Sequence, residues 1–203
     1  MAEEAALEAM VKALLGKSPL GIQLEESCLY VAADPAMQYQ VALDGGDLLT
    51  PGLTPAQALD AIRPLLEDPG VEKRLFDAKG FLHAIAPYGV RLAGPWQDAM
   101  IQDYLLHAIH PADSLKTLLS ERNLPYGAGG LLQASQDMEA ELREKGLLDL
   151  YNQVELPLVE VLYQMEREGF MVDGAMLREL SELFARRLEE ICLLYTSPSP
   201  RDR

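Results

Sequence analysis

Between Leu20 and Leu43 the chain alternates short apolar runs with turn chemistry, and this pattern limits the fold more than any other. Leu20-Gly21-Ile22 leads to Leu24, a second run spans Cys28 to Ala33, and a third spans Tyr39 to Leu43. Glu25-Glu26-Ser27 and Asp34-Pro35-Ala36 separate them, and Asp44-Gly45-Gly46-Asp47 ends the last. Runs of this length with reversals between them predict a three-stranded antiparallel meander. An amphipathic helix over 3–16 precedes it, with Ala6, Leu7, Met10, Val11, Leu14 and Leu15 on one side. After it, Thr54 and Pro55 cap and open a helix whose inner face is Ala58, Leu59, Ile62, Leu65 and Leu66. A strand near Lys73 to Phe76 and a helix through Phe81, Leu82 and Ile85 follow. A meander followed by strand and helix predicts an α/β domain with a mixed sheet.

Beyond this the pattern turns helical. Helices are expected at about 97–108 and 113–122, then a loop from Pro125 to Gly130, then a helix over 131–145. A further helix over 147–168 is expected to be interrupted by Pro157, and Asp173 caps the last one. Strands stop near residue 150, so the expected organisation is one α/β domain over 1–150 and a helical segment over 151–191. The helical period reaches Ile191 and then breaks at Cys192, giving way to Tyr195-Thr196-Ser197-Pro198-Ser199-Pro200. Residues 192–203 read as a non-biological run-on, with a Ser-Pro-rich disordered tail as the alternative.

Bulk properties narrow the function. With 17 Lys and Arg against 32 Asp and Glu, the formal net charge is −15. A domain that grips phosphates by itself shows a basic stripe, and this chain has none, so stand-alone DNA binding is disfavoured. No apolar stretch reaches the length of a membrane span, and the acidic start does not resemble a signal peptide. Two cysteines, Cys28 and Cys192, build no disulfide framework. A cytoplasmic monomer is the expectation.

The string from Glu155 to Asp173, E-L-P-L-V-E-V-L-Y-Q-M-E-R-E-G-F-M-V-D, has an ordinary physical reading. Pro157 sits near a helix start, Leu158, Val161, Leu162 and Met165 make an expected buried stripe, Gly169 permits a left-handed turn, and Asp173 caps. As a whole it closely resembles the start of the polymerase domain in bacterial family A DNA polymerases, which reads E-x-P-L-x-x-V-L-x-x-M-E-x-x-G-x-x-V-D. Upstream, Phe76-Asp77-Ala78-Lys79, Tyr88-Gly89-Val90-Arg91-Leu92, Gly94, Asp98 and Tyr104-Leu105-Leu106 resemble the middle of that family's 3′–5′ exonuclease domain. The resemblance covers roughly 18–191, weakly over 18–70. It implies a ribonuclease-H-like exonuclease fold followed by the helical start of a polymerase thumb.

The same resemblance lets the exonuclease chemistry be checked residue by residue. Proofreading relatives hold two divalent metals on four carboxylates, because two such ions about 4 Å apart repel by roughly 17 kcal/mol at an effective dielectric near 20. The first motif, D-x-E, aligns with Gln23 and Glu25, and a neutral Gln is a poor ligand for Mg²⁺. The second, N-x-x-x-D, aligns with Asp77 and Phe81, and Phe cannot ligate. The third, Tyr-x-x-x-Asp, falls in the window from Arg122 through Gly130 and is expected to be shortened away. Three of four ligands are thus absent: no catalytic residue, cofactor site or metal is expected here, with Gln23, Glu25 and Phe81 as degenerate positions.

Other candidates read as structural. His107 and His110 are expected at a helix C-terminus, which favours cations, and His83 as half-buried packing. Gly127 to Gly130 lacks a following Lys-Ser/Thr and reads as a linker. Asp98 is assigned a structural role. The resemblance therefore implies a vestigial proofreading domain kept for shape, in a parent expected to extend DNA from deoxynucleoside triphosphates with Mg²⁺ through a domain outside this chain. Two rivals stand beside it. One is an active 3′–5′ exonuclease in which Glu25, Asp77 and a third acid such as Asp137 converge; the other is a non-catalytic acidic interaction module.

Overall fold

The computed structural model describes residues 2–43 and 52–196; the Asp44 to Asp47 turn and residues 197–203 lie outside them. The meander forms as expected. β1 (Leu20–Leu24) pairs antiparallel with β2 (Cys28–Asp34), and β2 pairs antiparallel with β3 (Met37–Ala42). α2 (Pro55–Leu66) returns the chain so that β4 (Lys73–Leu75) lies parallel to β1. α3 (Ala78–Ile85) repeats the move for β5 (Trp96–Asp98), parallel to β4. The order is β3-β2-β1-β4-β5, a mixed sheet flanked by helices that agrees with the expected ribonuclease-H-like fold.

Alternation along the strands decides which helices cover which face. Leu20 and Ile22 of β1 and Leu29 and Val31 of β2 point to one side, where they join Leu59, Ile62 and Leu66 of α2. Leu7, Met10 and Leu14 of α1 (Ala2–Leu14) complete that core. α2 starts on a full capping box: Thr54 accepts from the N–H of Gln57, and the Gln57 side chain accepts from the N–H of Thr54. A second core joins Ala99 of α4 (Ala99–Leu106), Leu115, Leu118 and Leu119 of α5 (Leu115–Glu121), and Leu131, Ala134 and Met138 of α6 (Ala128–Glu144).

The structure corrects the sequence reading in five places. Residues 96–98 are a strand, and the expected helix begins only at Ala99, because Asp98 has extended backbone and its carboxylate caps the N–H of Met100 at 2.9 Å. The expected linker at Gly127 to Gly130 is instead the start of α6, with Gly129 and Gly130 buried inside the helix. The helix expected over 147–168 contains a π-helical turn, Tyr151–Glu155, between α7 (Leu148–Leu150) and α8 (Leu156–Glu168). That turn supplies slack ahead of Pro157, whose missing N–H then falls in the first turn of α8 and breaks nothing. In α8 the buried residues are Val159 and Tyr163, whereas Leu158, Val161, Leu162 and Met165 are open to solvent. Finally, α9 (Gly174–Thr196) stays helical past Ile191, through Thr196.

By contact density the chain divides into Met1–Glu166 and Arg167–Arg203. The second unit is α9 and its lead-in, where Gly169 has φ 68° and Asp173 accepts the N–H groups of Ala175 and Met176 at 3.0 and 3.1 Å. Among the described residues no helix is long and apolar enough to cross a membrane.

Candidate functional site

Parallel β1 and β4 end side by side, and a cavity of about 360 Å³ opens beyond their carboxyl ends. That is where sheets of this kind place ligands, since departing loops leave a crevice there. β1 delivers Gln23 and Glu25, the start of α3 delivers Asp77 and Phe81, and residues from later in the chain add Asp113, Lys116 and Tyr126. The structure thus brings together every position that the sequence assigned to the first two motifs. Asp137 does not line the cavity; it sits exposed on α6, accepting from Gln133 Nε2 at 2.8 Å.

Each acid at the cavity already has a partner. Asp77 adopts left-handed backbone, φ 59° and ψ 67°, a conformation that Asp tolerates better than most residues. From there its Oδ1 caps α3 through the N–H of Gly80 at 3.0 Å. Glu25 accepts a hydrogen bond from the Tyr126 hydroxyl. Burial and that carboxylate push the Tyr126 phenol well above its ordinary pKa, so it stays a donor. Asp113 accepts from Thr117 Oγ1 at 2.7 Å and Ser114 Oγ at 3.1 Å, which hold its carboxyl below the usual carboxylate range. Phe81 fills the floor of the cavity from the core side, only 6 % exposed.

Tyr126 is the site residue that the sequence reading passed over. Its ring meets Tyr30 edge to face, with centroids 6.0 Å apart, and its carbonyl accepts from Gln38 Nε2 at 3.1 Å. The same Gln38 amide accepts from the N–H of Gly129 at 3.2 Å, tying the approach to α6 onto β3. Gly130 follows Tyr126 by four residues, a spacing equal to that of Tyr-x-x-x-Asp, but the glycine run around it reads as a linker in the sequence.

The donor set does not fit the two-metal arrangement that the resemblance implies. In the expected alignment a neutral amide, Gln23, and a phenyl ring, Phe81, stand at two of its four ligand positions. Among the described residues no three His, Cys, Asp or Glu side chains are grouped to hold a metal ion.

The remaining candidates are accounted for locally. His107 ends α4 and pairs through Nδ1 with Asp103 Oδ1 at 2.8 Å. His83 Nε2 lies 2.8 Å from Glu166, which also accepts from Lys79 at 2.7 Å, and its ring meets Tyr163 at a centroid distance of 4.8 Å. Asp98 is 1 % exposed and accepts the N–H groups of Asp77, Ala78 and Met100, which makes it the hub joining β4, β5, α3 and α4. Burial raises its carboxyl to about 6.

With the geometry in place, comparison with known proteins is informative. The chain is 30% identical over 184 residues to DNA polymerase I of Rhizobium leguminosarum, covering 71% of this chain. It is 28% identical over 166 residues to that of Chloroflexus aurantiacus, and 27% over 176 residues to that of Mycobacterium tuberculosis. Among solved structures, the polymerase domain of Pol1 from M. smegmatis, in complex with DNA primer-template and dNTP, matches 91% of this chain with a TM-score of 0.66 and 25% identity. The chain belongs to the bacterial DNA polymerase I family. It spans 18% to 19% of the length of these DNA polymerase I relatives and 34% of the solved chain. No protein-family model matches it.

Proposed function

We propose that residues 1–150 are the 3′–5′ exonuclease-like domain of a DNA polymerase I, that 151–191 begin its polymerase domain, and that the exonuclease-like domain is vestigial and kept for shape. The parent protein then extends a DNA primer with deoxynucleoside triphosphates in replication and repair, using Mg²⁺ bound outside this chain. The observation that carries this reading is the cavity beside Glu25. Its positions for metal ligands hold Gln23 and Phe81, and the acids that remain are engaged in a tyrosine hydrogen bond and a helix cap. Two doubly charged ions need several anions to offset their repulsion, and this cavity does not supply them. The full chain incubated with Mg²⁺ or Mn²⁺ and 3′-labelled single-stranded DNA is expected to release no nucleotide. Metal-dependent release from the 3′ end, abolished by Glu25→Gln, would establish the active-exonuclease reading instead.

A further inference from the structure

The substitutions Gln23 and Phe81 are changes of side chain alone and in principle reversible; Gly130 is different. In the Tyr-x-x-x-Asp arrangement both residues project from one helix, four apart and on one face. Here α6 begins at Ala128, so Tyr126 precedes the helix, and the turn that carries it folds back over the first helical residues. The carbonyl of Pro125, immediately before Tyr126, occupies the place of a side chain at Gly130: a Cβ there falls inside 3.0 Å of that oxygen and 3.3 Å from Leu119 Cδ1. One residue earlier, a Cβ at Gly129 falls 2.6 Å from the carbonyl oxygen of Pro35. On the sheet side, a Cβ at Gly21 falls inside 3.0 Å of the carbonyl of Ala128. Three glycines, from β1 and α6, thus let the helix start press against backbone on three sides.

We infer that the third ligand motif has been rebuilt as a glycine seat. The turn that delivers Tyr126 to Glu25 is the same turn that excludes a carboxylate at residue 130, so restoring the first two motifs does not restore a metal site. This inference rests on the vestigial-exonuclease reading and adds that the loss is fixed in the backbone of the 125–130 turn.

The steric part is tested on the full chain by Gly130→Ala. In an ordinary helix interior, replacing Gly by Ala stabilises, because Gly has more backbone freedom to lose on folding. The seat reverses the sign: Gly130→Ala lowers Tm, while Gly174→Ala, whose Cβ meets only Arg178 Nη1 at 3.6 Å, does not. An unchanged or raised Tm for Gly130→Ala overturns the inference.

The functional part is tested by calorimetric titration of Mn²⁺ into Gln23→Asp and into the Gln23→Asp/Phe81→Asp double variant, each checked for folding by circular dichroism. Neither is expected to bind Mn²⁺ more tightly than the unaltered chain, and saturable binding stronger by tenfold or more in a folded variant overturns the inference. Should the buried carboxylate at 81 prevent folding, Gln23→Asp and Gly130→Ala still decide it. Metal binding and nuclease activity in the unaltered chain would instead defeat the underlying reading, so the two failures are distinguishable.

Discussion

The hydroxyl of Tyr151 accepts the N–H of Asp98 at 2.8 Å and donates to the carbonyl of Asp98 at 3.3 Å, so one side chain closes both backbone groups of the residue where β5 ends and α4 is capped. Tyr151 is fully buried, and it opens the π-helical turn that leads to α8. It therefore fastens the start of the helical path through α8 to the hub at Asp98.

Removing only that hydroxyl leaves a buried N–H without a partner, a loss of about 1–3 kcal/mol. Tyr151→Phe is expected to lower the urea midpoint accordingly, with an unchanged slope. A change under about 0.5 kcal/mol would show that water or a relaxed backbone replaces the bond.

Asp98 gives the stability curve a pH dependence of unusual sign. Burial raises its carboxyl from 3.8 to about 6 in the folded state, so between those values the folded chain binds more protons than the unfolded one. Stability from this group is therefore full below pH about 4 and falls as pH rises through about 6, by about 3 kcal/mol at most. Asp98→Asn lacks the titration. It loses an acceptor and is less stable overall, but the difference between the two proteins narrows from pH 4 to 7. Parallel curves from chemical denaturation across that range would refute the assignment.

Arg74 on β4 donates to Ser135 at 3.2 Å and to Glu139 at 2.7 Å, both on α6, and Ser135 donates on to Gln102 of α4 at 2.8 Å. Glu72 lies 2.8 Å from the same guanidinium as a charge contact. Breaking a mostly buried pair strands its partner, so Arg74→Met is expected to cost about 2 kcal/mol or more, and Arg74→Met/Glu139→Leu to recover most of it. Denaturant titration of the single and double variants reads this coupling. Additive losses would mean that the ions act independently.

Leu158, Val161, Leu162 and Met165 recur at helical spacing along α8 and are 39% to 62% exposed. A contiguous apolar stripe of this kind drives association. The chain is expected to self-associate with rising concentration in sedimentation velocity, and Leu162→Glu with Met165→Glu to shift it towards monomer without lowering Tm. A monomer at all concentrations would remove the prediction.

Much of this architecture was legible because local chemistry and packing agree. The meander announces itself through turn residues, α2 through Thr54 and Pro55, and the mixed sheet through the strand-helix alternation that follows. What stayed hidden depends on partners distant in sequence. β5 is three residues long and exists because β4 pairs with it. Lys73, expected in a strand, is fully buried because its ammonium reaches the carbonyls of Asp68 and Ala93. At the site, Gln23, Glu25, Asp77 and Phe81 were readable from motif spacing. Tyr126 was not, because a glycine run reads as a linker until the backbone that it must clear is known.

The helical path from Leu148 to Glu168 bends through a π-turn but contains no loop. The first break in that path is the non-helical stretch from Gly169 to Asp173, well past the boundary expected near residue 150. A protease given the choice should cut there. The larger product would keep Tyr151, Val159 and Tyr163, so that the first helix assigned by sequence to the polymerase travels with its neighbour.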